Sequence, residues 1–285
     1  MNVPKIKYLT NKDLLKEIHR SKNTYCSYTD KAFGDYDLIV PSVEKINIRT
    51  IAEAKRNRAS RLAKLAHEAA VLAGGKKLPA KEFEIDYKTI KKDDVVFRVM
   101  TFTHVPLAPG RKKTLKNTAD SHEKVNFPPF QHWKFDANNN LICVGKSHWR
   151  GDLTTGEFNK EHGKMTDNLA RMFLKLCERY ATRGNVRGYT YNDEMRGQAI
   201  LQLTQIGLQF DESKSDNPFA YYTAAVTNSF VRIINIEKRN QNIRDDILEM
   251  NGMNPSWSRQ NSGGSVNVAA GPSTGATVDG GSDSD

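Results

Sequence analysis

The sequence predicts a mainly α protein: a three-helix domain, an inserted α+β module and a disordered C-terminal tail. Three observations carry this. After Gly163, apolar residues recur at helical spacing in three successive segments. Before Gly163, short runs rich in Val, Phe and Thr are separated by turn residues and preceded by a long basic segment. After Gly252 the chain is Gly, Ser, Asn and Thr with three aspartates. Such a stretch lacks the apolar side chains that offset ordering entropy.

The elements follow in order. Leu14, Leu15 and Ile18 make the apolar side of a short helix over Asn11 to Lys22. Cys26 to Pro41 reads as a loop with aromatics. Ser42 is placed as the cap of a long helix reaching Ala73 and stopped by Gly74-Gly75. Its first half is crowded with Arg49, Lys55, Arg56, Arg58 and Arg61. Phe83 to Tyr87 and Val95 to Val105 read as strands. Pro106 to Pro129 is polar and basic and reads as an exposed loop. Gln131 to Phe135 and Leu141 to Val144 flank Asp136-Ala137-Asn138-Asn139-Asn140, a hairpin in which Asn supplies the turn. A second turn is expected around Thr155-Gly156.

Helices are expected from Thr166 to Ala181, from Asn192 to Gly207 and from Asn217 to Arg239, with a further short one near Ile243 to Met250. Asn192 is read as an N-cap, with Asp193 and Glu194 in the first turn suiting the helix dipole. Asn217 is a second N-cap, followed by Pro218, whose missing N–H costs nothing in a first turn.

Composition narrows the function. The 285-residue chain carries a net charge of +10, which favours a polyanionic partner, nucleic acid before membrane. No apolar run approaches membrane-spanning length, and the N-terminus has no apolar signal-peptide core. Cys26, Cys143 and Cys177 are odd in number and widely spaced, as for reduced thiols. Gly145-Lys146-Ser147 resembles the end of a phosphate loop, but Asn140 stands where the motif needs glycine. Cys143, His148, His122 and His132 lack the paired spacing of a structural zinc site, so neither metal nor cofactor is expected. No nucleophile–base pair is visible by spacing, and the chain is not read as an enzyme.

The segment from Asn217 to Arg239 carries the most chemistry. Phe219, Tyr222, Val226, Phe230, Ile233 and Ile234 form one apolar stripe. The opposite face presents Tyr221, Ala225, Asn228, Arg232, Asn235 and Arg239, with Lys238 at its flank. Rings, amides and guanidinium groups together suit an opened nucleic-acid strand.

The run DEMRGQAILQLTQIGLQFDESKSDNPFAYYTAAVTNSFVRIINIEKR resembles region two of bacterial sigma factors. It shares an acidic helix start, an apolar-glutamine helix, a Phe-Asp in the loop and a Phe-x-x-Tyr opening a long helix. It is most similar to the late-transcription sigma factors of T-even-type tailed phages, including relatives infecting cyanobacteria. The start YLTNKDLLKEI is similar too. The match is specific over Thr166 to Arg239, and the middle of the chain resembles the extended cyanobacterial-phage versions.

The resemblance implies a subunit in the host cytoplasm that binds host core RNA polymerase and opens a TATA-rich late promoter, with room for a phage co-activator. Glu194, Gln198, Leu201, Gln202 and Gln205 correspond to the face that docks on the polymerase clamp coiled coil. Phe219 and Tyr222 match the Phe-x-x-Tyr that captures an unstacked adenine. Tyr221 is the alternative on helical geometry. Thr223, Asn228, Arg232, Lys238 and Arg239 complete the expected DNA-binding set. Ala225 and Val226 replace the paired tryptophans of primary sigma factors, and the tail GATVDGGSDSD lacks the Leu/Phe cluster of a sliding-clamp motif. The expected boundaries are 1–25 for an N-terminal helix packing on the sigma-like domain, 26–163 for the module, 164–251 for the sigma-like domain and 252–285 for the tail. The alternatives are a phage single-strand-binding protein and, third, an enzyme of nucleic-acid metabolism with its site in the middle module.

Overall fold

The computed structural model describes residues 9–74, 79–109 and 121–262. The chain divides into a unit ending at Phe230 and a second beginning at Val231.

In the first unit, helix α1 (Asn11–Asn23) opens on Thr10, whose hydroxyl accepts the Asp13 N–H at 3.2 Å. Helix α2 (Ile48–Gly74) starts five residues later than Ser42 would place it. A reciprocal cap sets the start: Asn47 Oδ1 accepts the Arg49 and Thr50 N–H groups, and Thr50 Oγ1 accepts the Asn47 N–H at 2.8 Å. Ser42 opens only a 3-10 turn, Val43–Lys45.

A five-stranded mixed sheet follows the order β1-β5-β4-β3-β2. Its strands are β1 (Cys26–Tyr28), β2 (Leu38–Val40), β3 (Val96–Met100), β4 (Phe130–Phe135) and β5 (Leu141–Ser147). The β2–β3 pair is parallel and the others are antiparallel. The β4–β5 hairpin turns where expected, closed by Asp136 N–H to Asn140 O at 2.8 Å, with Asn139 left-handed at φ 64°. Strands β6 (Trp149–Arg150) and β7 (Glu157–Phe158) form a separate two-stranded ribbon around the Gly156 turn.

Two expectations in this region are corrected. Cys26 to Pro41 holds the edge strands β1 and β2, each of three residues, too short to show a period. Phe83 to Tyr87 is not a strand: 3-10 turns occupy Ala80–Phe83 and Tyr87–Thr89. Its alternation reflects Ile85 and Tyr87 packing on the core built by Val40, Ala54, Ala59, Phe97, Val99 and Phe135.

Helices α3 (Asp167–Ala181) and α4 (Asn192–Ile206) pack against each other, and α5 (Pro218–Met250) begins in this unit. Asn192 does not cap α4. Its side-chain amide instead ties the preceding loop, donating to Ala181 O at 3.1 Å and Val186 O at 3.0 Å. Asn217 does cap α5, accepting the Ala220 N–H at 3.0 Å.

In the second unit α5 runs unbroken to Met250, so the separate helix expected near Ile243 does not exist. The chain then reverses at Gly252 (φ 69°) into helix α6 (Trp257–Ser262). Ser256 caps back onto Asp245 with its N–H and hydroxyl, and Arg259 reaches Asp246 and Glu249. The tail expected to be disordered is therefore folded up to Ser262. Its remainder, with GATVDGGSDSD, lies outside the described residues.

The expected fold class is overturned. Among the described residues 51% are helical and 13% are in strands, a mixed α/β structure and not a three-helix domain carrying an insert. The reason is visible in the packing. Alternation along β3 sends Phe97 and Val99 to the α2 face and Arg98 to the other. There Arg98 meets His19 of α1, His132 of β4 and Glu212 of the loop before α5. Sheet and helices thus share one interior.

Candidate nucleic-acid interface

Helix α5 enters over a polar-capped first turn. Asn11 of α1 accepts the Phe219 N–H at 3.0 Å, which fixes the Phe219 ring beside α3. That ring, with Leu9, Leu176 and Tyr180, lines a cavity of about 220 Å³. Lys175 and Arg179, four residues apart on one face of α3, line it too, with Arg183 from the turn just after the helix. Arg183 lies 4.4 Å over the Tyr180 ring, a cation set against an aromatic wall. Tyr180 is fixed in turn by Phe230, 4.8 Å between ring centroids. Aromatic walls with three cations suit one unstacked base and its flanking phosphates.

Lys175, Arg179 and Arg183 are absent from the expected site residues. Their spacing was legible in the sequence, but only the fold brings them to Phe219. Tyr222 is placed differently from its expected role: it is 0% exposed. Its hydroxyl donates to Gly207 O at 2.6 Å, and its ring packs on Phe173 at 4.8 Å. No face of it is open to a base. Tyr221 is 37% exposed and rests edge-on against Phe210, outside the Phe219 cavity. Asn228 is exposed. The Thr223 hydroxyl is buried without a hydrogen-bond partner. Arg232, Lys238 and Arg239 belong to the second unit and are exposed there.

On α4, Met195, Ala199 and Leu203 are fully buried. Glu194, Gln198, Leu201 and Gln205 are all exposed and Gln202 is half-buried, so the five form an outward face. Leu201, 55% exposed amid amides, gives that face an apolar centre.

The loop that delivers α5 is held by buried charge. Glu212 pairs with Arg98 at 2.5 Å and with Lys22 at 3.3 Å, and Lys22 also donates to Phe210 O at 2.7 Å. Arg98 is sandwiched between Tyr36 and Phe130, 3.9 and 3.8 Å from the ring centroids. Burial alone would raise the Glu212 carboxyl, but Lys22 and Arg98 outweigh it and hold the acid at about 2. Burial pushes Lys22, His19 and His132 down from their ordinary values.

Among the described residues no group of His, Cys, Asp and Glu is arranged to hold a metal ion. No helix among them is long and apolar enough to cross a membrane. Comparison with protein-family models, curated proteins and solved structures finds no match.

Proposed function

We propose that the protein belongs to the class of non-catalytic proteins that hold an opened DNA strand. Within that class we read it as a phage late sigma factor: a subunit that docks on host core RNA polymerase in the host cytoplasm and opens a TATA-rich promoter. The observation that carries the first step is the Phe219 cavity with Lys175, Arg179 and Arg183 on one wall. An extruded base stacks on Phe219, and Lys175, Arg179 and Arg183 neutralise its phosphates. Tyr221 replaces Tyr222 as the second accessible ring. Tyr222 supports α5 from beneath. The sequence resemblance over Thr166 to Arg239 supports the second step, as does the α4 row centred on Leu201. An exposed leucine among amides suits a protein partner better than DNA. A single-strand-binding protein acting alone shares the cavity but leaves that row unused.

The test is binding of a fluorescent TATA-containing oligodeoxynucleotide as single strand, duplex and duplex with a central bubble. Single strand and bubble should bind more tightly than duplex. Phe219→Ala should remove about 1–3 kcal/mol of that preference. Equal binding of all three forms would refute the opened-strand reading.

A further inference from the structure

We infer that the second half of α5 is a self-association helix, pairing antiparallel with the same helix of a second copy of this chain. The inference concerns the second unit alone and does not depend on the function proposed above.

Ile236, Asn240, Ile243, Ile247 and Met250 follow one another in steps of four, three, four and three residues. That is the a/d spacing of a coiled-coil seam. Ile236, Ile243, Ile247 and Met250 are 43%, 48%, 53% and 87% exposed on a helix that is otherwise well formed. The chain's own reversal does not cover them. Ser256 and Ser258 hold Gln241 and Asp245 on the other side of α5, and Arg259 reaches Glu249 there and Asp246 at the flank of the seam. Among the described residues the seam stays bare while its back is braced.

Charges flanking the seam select the occupant and its direction. Glu237 and Arg244 border one side, Arg239 and Asp246 the other. Set antiparallel about a twofold axis between Gln241 and Asn242, Ile236 faces Ile247 of the second copy, and Asn240 faces its Ile243. In the same register Glu237 meets Arg244 of the second copy and Arg239 meets its Asp246, each pair occurring twice. Asp246 already holds Arg259 of its own chain, so Arg239 adds a second cation to it. A parallel pair would instead set Arg239 against Arg244 of the second copy, like against like. Asn240, the polar residue in the seam, falls beside the axis, where two copies can hydrogen-bond and fix the register.

Sedimentation equilibrium of the full chain tests this. The expected result is a monomer–dimer equilibrium that Ile247→Asp weakens at least about tenfold. Arg244→Glu should weaken it too, by setting four acids around the axis, and Glu237→Arg combined with Arg244→Glu should restore it. Circular dichroism checks that the variants stay helical; all three positions are surface positions. A chain that stays monomeric at all concentrations overturns the inference, whether its seam is bare, covered by its own tail or reserved for a different protein. A dimer indifferent to Ile247→Asp overturns it as well. Failure of the charge-swapped double variant to restore association overturns the antiparallel register.

Discussion

The Arg98 guanidinium on β3 and the Glu212 carboxylate in the loop before α5 meet at 2.5 Å, with side chains 1% and 7% exposed. They join residues 114 positions apart in the chain. A buried pair of this kind contributes little over an apolar replacement, but removing one partner strands the other at a cost of about 3–5 kcal/mol. Its role here is positional: it sets the loop that launches α5, and it makes the sheet and the helical region one structure.

Glu212→Gln should therefore destabilise the first unit by about 3–5 kcal/mol, since Arg98 and Lys22 are both left without their carboxylate. Denaturant unfolding followed by near-ultraviolet and far-ultraviolet circular dichroism checks this. The sheet and the α3–α4 pair should unfold together in wild type and variant. An unchanged midpoint, or loss of the sheet alone, would mean that the pair does not couple them.

Acid should weaken the fold below about pH 6.5. Burial lowers His104 to about 4 and His148 to about 3, so both stay neutral in the folded chain where the unfolded chain binds protons. Their contribution is whole above the unfolded value near 6.5 and is lost as pH falls toward those folded values, at about 1.4 kcal/mol per unit of depression. Glu212 adds a second loss between its ordinary value near 4.5 and about 2. His104→Gln, which keeps an amide near Ser147 O and Gln131, should flatten the slope between pH 6 and pH 4. A slope unchanged in that variant would assign the acid sensitivity elsewhere.

Much of the fold was legible residue by residue, and the failures have physical causes. The cap at Asn217, the Asn139 turn and the apolar stripe of α5 are local, so spacing and turn chemistry revealed them. The edge strands β1 and β2 are too short to carry a period. The placement of Asn192 as a loop tie depends on carbonyls at Ala181 and Val186 that only the folded loop brings near. Architecture failed at Arg98: an arginine within a strand signals solvent, and nothing local tells of Glu212. Tyr222 stands in the apolar stripe, so its burial was legible, but Gly207 O, which takes its hydroxyl, belongs to a different helix end.

Tyr222 and Phe219 should separate stability from binding. Tyr222→Phe leaves Gly207 O without its donor and should cost about 1–3 kcal/mol of stability, with strand affinity intact. Phe219→Ala should spare stability and lower affinity for single strands. Thermal denaturation and fluorescence anisotropy on both variants check the split. The opposite pattern would return the stacking role to Tyr222.

Lys175→Ala, Arg179→Ala and Arg183→Ala combined should reduce the dependence of single-strand affinity on salt. Each phosphate deprived of its cation lowers the log–log slope by about 0.7. Anisotropy titrations over a range of salt concentrations measure it. A slope unchanged by the triple variant would place the phosphates away from α3.

Gln198→Ala with Leu201→Asp should abolish co-purification with core polymerase while leaving single-strand binding unchanged, because the α4 row and the Phe219 cavity share no residue. Unimpaired co-purification would remove the α4 row from the interface.

Run-off transcription with bacterial core RNA polymerase on a linear TATA-containing late promoter, with and without this protein, tests promoter opening itself. A discrete transcript is expected only when the protein is present. Phe219→Ala should lose this transcript on closed duplex and regain it on a template already melted over the promoter. No transcript above that of core alone, on either template, would contradict the sigma-factor reading.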